Sequence, residues 1–139
     1  GEADATLLAA AGLDRLGQNA IGVAIPVETM LPAPAQGAIG IETLADRHMI
    51  RALLAAIDDP ATSACVRAER ALLAGLNADC RSPVAALATR EGDAIRLRAA
   101  IYSPDGAEAV TGEMTDDPAA LARDLLARAS PAVRALFGG

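Results

Sequence analysis

Ala71-Leu72-Leu73-Ala74-Gly75-Leu76-Asn77-Ala78-Asp79-Cys80-Arg81-Ser82-Pro83-Val84-Ala85-Ala86-Leu87-Ala88 passes from one periodicity into another. On its upstream side Cys65, Ala68, Leu72 and Leu76, flanked by Val66 and Leu73, recur at the three- and four-residue spacing of a buried helix stripe. From Val84 the spacing of apolar residues drops to two, the signature of a strand. Cys80 stands in the connection, where a rigid scaffold tends to carry reactive groups. A thiol there is a nucleophile or an attachment point, set against the common fate of a lone cysteine as a small apolar filler. Cys65, on the helix stripe, reads as packing.

Downstream, the alternation predicts a meander. Val84 to Thr89 forms one strand and Arg90-Glu91-Gly92-Asp93 a turn. Ile95, Leu97, Ala99 and Ile101 then alternate with Arg96, Arg98, Ala100 and Tyr102 in a second strand. Ser103-Pro104-Asp105-Gly106 fits a type I turn, and Ala109 to Glu113 supplies a third strand. Asp117 caps and Pro118 opens a last helix with Leu121, Leu125 and Leu126 inward, and Ser130-Pro131 breaks it.

Upstream, Ile50, Leu53, Leu54 and Ile57 mark a helix stopped by Asp58-Asp59-Pro60, and Thr62 or Ser63 is positioned to cap the next one. Arg67, Glu69 and Arg70 fall on what reads as its solvated face. The expected fold is α+β, a three-stranded antiparallel sheet covered on one face by about three helices. Before this unit, Ala38 to Thr43 reads as a short strand and Gln18 to Ala35 is too rich in Gly and Pro for regular structure. Gly12 to Gly17 reads as a brief helical turn, and Ala5 to Ala11 is either a buried strand or a helix start. The expected division is residues 1–43 and 44–139.

Composition excludes several functions. The chain of 139 residues is 53% hydrophobic with one Phe, one Tyr and no Trp, enough for a core but poor in stacking platforms for bases. Its formal charge is −6 and all twelve basic residues are Arg, so no broad cationic surface gathers phosphates and no nucleic-acid partner is expected. Residues 1–43 hold five acids against the single base Arg15. No apolar run is long enough to span a bilayer, and two Cys without CxxC spacing suit a reducing, cytoplasmic setting. No metal site is expected, since His48 stands far from both Cys and reads as an exposed helix residue.

Five stretches, in order, resemble porphobilinogen deaminases, also called hydroxymethylbilane synthases. They are Ala10-Ala11-Gly12-Leu13-Asp14-Arg15-Leu16-Gly17, then Leu31-Pro32-Ala33-Pro34-Ala35-Gln36-Gly37-Ala38-Ile39-Gly40-Ile41-Glu42, Val66-Arg67-Ala68-Glu69-Arg70-Ala71, Cys80 with Pro83, and Ser103-Pro104-Asp105-Gly106.

The resemblance implies a transferase of tetrapyrrole (haem) biosynthesis that joins four porphobilinogen units with loss of ammonia and releases hydroxymethylbilane. It implies a dipyrromethane cofactor, thioether-linked to the position of Cys80, and a cleft for the pyrrole chain lined at Gly12, Arg15, Gln36 and Gly37. Sulfur suits the tether, because a thiolate attacks a soft electrophilic carbon and leaves a stable thioether. Arg15 suits the acetate and propionate groups of pyrroles, which a guanidinium grips bidentately. Arg81 beside Cys80 either favours the thiolate or faces solvent.

The resemblance also sets expectations about extent. Family members usually carry glycines before the cofactor Cys, where Ala78 and Asp79 stand here, and Arg81-Ser82 replaces a commoner Gln-Val. The chain opens, without an initiator Met, at what corresponds to the late part of a second domain. It is expected to be a C-terminal fragment: a remnant of a periplasmic-binding-protein-like two-domain cleft, then the cofactor-anchoring domain. The family's catalytic Asp is outside it, so no catalytic residue is assigned, and the fragment alone is expected to be inactive with nothing attached at Cys80. Full-length members are expected to be monomers, whereas residues 1–43, deprived of their sheets, are expected to be disordered, refolded onto the third domain or paired with another copy. The rival is a small α+β ligand-binding or regulatory module in which Cys80 is structural. A Rossmann domain is set aside for want of a strand followed by GxGxxG.

Overall fold

A computed structural model describes residues 3–138. The chain divides into two compact units, the first ending at Met30 and the second beginning at Leu31. In the first, α1 (Ala10–Arg15) is closed by Gly17 at φ +66°, whose N–H reaches the Asp14 carbonyl while the Gln18 N–H reaches back to Leu13. The apolar run from Ala5 therefore feeds a helix start, and Gln18 to Met30 has no regular element.

The second unit contains α2 (His48–Ala55), α3 (Pro60–Leu76), β1 (Val84–Glu91), β2 (Ala94–Tyr102), β3 (Ala109–Thr115), α4 (Pro118–Arg128) and α5 (Pro131–Arg134). The strands form an antiparallel meander in the order β1-β2-β3. Glu91 pairs with Ala94 across a two-residue loop that begins with Gly92 at φ +66°, as a hairpin of the II′ class requires. The Gly106 N–H closes the second connection onto the Ser103 carbonyl at 2.9 Å, the bond of the predicted turn.

Register explains the core. Val84, Ile101 and Val110 lie abreast, then Ala86, Ala99 and Gly112, then Ala88, Leu97 and Met114. These three rungs share one face, as the period of two requires, and all but Gly112 join the hydrophobic cluster. The middle rung is small. It leaves a valley into which α4 lowers Leu121 and Leu125, and a Cβ built on Gly112 would stand 2.9 Å from Leu121 Cδ1 and 3.1 Å from Leu125 Cδ2. Leu72 and Leu76 of α3 close the cluster beside α4, and Val133 and Phe137 complete it around α5. The opposite face carries Arg96 bonded to Glu113 at 2.7 Å.

Three helices start at proline, each behind a side-chain cap. Asp59 accepts the Thr62 N–H at 2.7 Å, Asp117 the Ala120 N–H at 2.8 Å and Ser130 the Val133 N–H at 3.2 Å. The cap of α3 is thus Asp59, not Thr62 or Ser63. Pro60 opens α3, because a first-turn N–H has no intrahelical partner to lose, whereas α2 has already ended at Ala55. Ser130-Pro131 both follows directly on the end of α4 and opens α5.

Two further expectations change. Residues 38–43 form no strand, for among the described residues nothing pairs with them, and a strand exists through its ladder. The helix α2 forms but buries no residue, and Met49, Leu53 and Ile57 stay exposed, so the sheet is covered by α3, α4 and α5. No helix among the described residues is long and apolar enough to cross a membrane.

Candidate functional site

Cys80 owes its position to how α3 ends. Asn77 adopts the left-handed conformation at φ +54°, where Asn is tolerated better than most residues with a side chain. The Asn77 N–H then bonds the Ala74 carbonyl at 3.1 Å and the Ala78 N–H bonds that of Leu73 at 2.9 Å. This pair of bonds is a Schellman motif, and Ala78 and Leu73 both pack against the core, as the motif favours. Ala78 and Asp79 take ordinary negative φ, so the turn needs no glycine at either position.

The next four residues form a clip. Asp79 Oδ1 accepts the Arg81 N–H at 2.8 Å and the Ser82 N–H at 3.1 Å, while Ser82 Oγ accepts the Asp79 N–H at 2.9 Å. The Arg81 N–H holds the Asp79 carboxyl below the ordinary aspartate range, with the Ser82 hydroxyl and the Arg81 charge acting in the same direction and partial desolvation opposing them. Cys80 is fixed by its neighbours on both sides, yet its side chain is exposed. Arg81 turns outward, with 89% of its side chain accessible and its guanidinium 3.8 Å from Asp79. Of the two roles open to Arg81, facing solvent is the one observed. Cys65 is also a free thiol, but it is half-buried and packs against the core.

Gln36 and Gly37 lie on a second feature of the same unit. The Pro32 carbonyl accepts the Ala86 N–H at 2.9 Å, so the chain before Gln36 covers part of the open edge of β1. Gln36 Oε1 accepts the Ala33 N–H at 3.0 Å, which leaves its NH2 group exposed and without a hydrogen-bond partner among the described residues. Gly37 sits at φ +81° with nothing within 4 Å of where a Cβ would stand, so a ligand could approach its backbone closely. Both residues line a cavity of about 540 Å³ together with Cys65, Glu69, Thr89 and Arg90; Cys80 is not among its lining residues.

Gly12 and Arg15 belong to the first unit, three apart on α1 and both exposed. Among the described residues no group of acidic, His or Cys side chains could hold a metal.

Sequence reasoning missed Glu69. Read as part of a solvated face, it is buried, and its carboxylate accepts backbone N–H groups from Ala35 at 2.5 Å and Ala88 at 2.8 Å. Helical arithmetic carries the signal: Glu69 lies four residues after Cys65, three before Leu72 and seven before Leu76, on the apolar stripe itself.

Comparison with known proteins shows which family the chain resembles. Residues 63–129 match the family described as "Porphobilinogen deaminase, C-terminal domain", and residues 1–52 match "Porphobilinogen deaminase, dipyromethane cofactor binding domain". The porphobilinogen deaminase of Sphingopyxis alaskensis is 57% identical over 142 residues, covering 99% of this chain and 45% of that protein. That of Paracoccus denitrificans is 46% identical over 129 residues, covering 90% and 41%, and that of Moorella thermoacetica 47% over 132 residues, covering 89% and 42%. The chain spans less than half the length of these relatives. With both family domains matched in order and close relatives along nearly its whole length, the chain belongs to the porphobilinogen deaminase family.

Proposed function

We propose that this chain forms the thiol-bearing part of an enzyme that joins four porphobilinogen units head to tail, with loss of ammonia, into hydroxymethylbilane for tetrapyrrole biosynthesis. The observation that carries the reading is the exposed Cys80 thiol on a clipped loop, within the segment matching the family's C-terminal domain. In this reading residues 1–43 belong functionally to the substrate cleft and residues 44–139 to the anchor. The setting is cytoplasmic, where reduction keeps thiols free.

The donor set suits a dipyrromethane. Cys80 Sγ is accessible, and its bond to the carbon left electrophilic when porphobilinogen loses ammonia makes a thioether. The thiol proton and the departing amine balance as ammonia. When bound, the dipyrromethane supplies the pyrrole terminus on which a chain is extended. In the second unit the NH2 of Gln36 donates to a pyrrole carboxylate and Gly37 admits the ligand close to the backbone; in the first unit Arg15, with Gly12 three residues before it, offers a charge-assisted grip on a group of the same kind. The rival reading, a binding module with a structural Cys80, is disfavoured because a packing cysteine is buried and this one is exposed.

The test joins this chain behind the preceding half of the Sphingopyxis alaskensis relative and measures intact mass. A two-pyrrole adduct mapping to Cys80 and absent from Cys80→Ser is expected, while the 139-residue chain alone forms no hydroxymethylbilane. An active fusion with Cys80 unmodified overturns the proposal.

A further inference from the structure

Among the described residues, Glu69 is the sole buried charged side chain, at 6% exposure. A carboxylate removed from water is costly unless its oxygens are met by donors, and here both are. The donors are backbone amides from different parts of the chain. Oε2 takes the Ala35 N–H, next to Gln36, and Oε1 takes the Ala88 N–H on β1, the strand that leads out of the Cys80 loop. Ala88 offers that N–H because β1 is an edge strand, so the carboxylate occupies a place where a neighbouring strand would otherwise pair.

The need for a carboxylate follows from the geometry. Two donors converge on two separate oxygens of one side chain. A glutamine has one acceptor oxygen, and its NH2 would face a second N–H. An aspartate is one methylene shorter, and an aliphatic residue would leave two amides without partners.

The backbone gives an independent sign of restraint. Ala35 has φ +58°, a conformation that is unfavourable for a residue with a Cβ and persists only where surroundings hold it. The Ala35 amide is the one held by Glu69. Its neighbours are also fixed, with the Pro32 carbonyl on Ala86 and Gln36 Oε1 on Ala33, so the NH2 of Gln36 projects from a loop whose path is determined at three points.

We infer that Glu69 is a positioning residue, whose carboxylate sets the backbone at Gln36 and Gly37 against the strand continuous with the Cys80 loop. The inference rests on the proposed role of Gln36 as a pyrrole-carboxylate contact. It assigns to α3 the task of keeping that contact in register with the thiol tether.

Two measurements test it separately. Amide hydrogen exchange on this chain reads the clasp alone. The Ala35 and Ala88 amides are expected to be protected in the wild type, one of them to exchange about tenfold faster or more in Glu69→Gln, and both in Glu69→Ala, with Leu97 and Ile101 unchanged. A wild-type Ala35 amide exchanging at the free-peptide rate, or unaltered protection in both variants, overturns the clasp. The fusion with the Sphingopyxis alaskensis half reads positioning. Glu69→Gln is expected to lower kcat/KM about tenfold or more per folded molecule, with the Cys80 adduct still formed. Unchanged kcat/KM per folded molecule would make Glu69 structural only. A wild-type fusion without activity counts against the proposed function, while exchange still decides the clasp.

Discussion

Asp79 and Ser82 bond each other in both directions around Cys80: the amide of the first donates to the hydroxyl of the second, and the carboxylate of the first accepts the amide of the second. The clip depends on charge, and Asp79 titrates below the ordinary aspartate value of 3.8 because the Arg81 N–H stabilises its ionised form. With the folded value depressed, its contribution is present above 3.8 and lost as pH falls through the folded value. The Arg81 and Ser82 amide resonances should therefore move together on acidification, with a common midpoint below 3.8. A midpoint at or above that value would sink the idea.

The thiols should separate by accessibility. Brief treatment of the native chain with iodoacetamide is expected to label Cys80 first, because Cys65 is half-buried against the core. Peptide mapping at partial modification reads the ratio, and equal labelling without denaturant would contradict the packing described for Cys65.

Gly112 fixes how closely α4 approaches the sheet. In Gly112→Ala the new methyl meets Leu121 and Leu125, both fully buried, and the overpacking should cost about 1–3 kcal/mol in urea denaturation. A parallel case is Gly75→Ala on α3, where the methyl would stand 2.9 Å from Ala122 Cβ, an atom that no rotamer change can move. That contact should outweigh the gain in helix propensity. An unchanged or raised denaturation midpoint in Gly112→Ala would show that the valley has spare room.

Acid should weaken the second unit through several carboxylates together. Asp59 is lowered first by the Thr62 N–H, Asp105 by the Ser103 hydroxyl, Glu108 by Ser130 and Glu113 by Arg96. Every folded value lies below the unfolded one, so these contributions are complete above the ordinary values of 3.8 for Asp and 4.5 for Glu and disappear as pH falls through the lowered ones. Thermal midpoints are expected to be flat near neutrality and to drop below about pH 4.5. Asp59→Asn, which keeps an acceptor oxygen, should show a shallower acid decline than the wild type. An equal decline would remove Asp59 from the account.

The meander was legible because its information is local. Alternation from Val84 to Tyr102, Gly92 in the hairpin and Pro104 in the second turn each fix geometry within a few residues. Asp117-Pro118 was legible as a helix start, whereas the same dipeptide at Asp59-Pro60 followed another helix and read as a stop. The Cys80 loop was visible as the seam between two periods. The burial of Glu69 is written in its place on the stripe of Cys65, Leu72 and Leu76, but its partners are not: they are the amides of Ala35 and Ala88, 34 and 19 residues away, and no local rule pairs a side chain with a distant backbone. The apolar positions of α2 are periodic, but periodicity states which face is apolar and leaves open what covers it.

The exposure of Cys80 has a practical side. Its side chain meets solvent in the folded domain, so a small reagent reaches the sulfur without unfolding of the core. A group can be joined to the finished domain without any opening of the sheet, and it displaces no side chain from the cluster around Leu97 and Ile101.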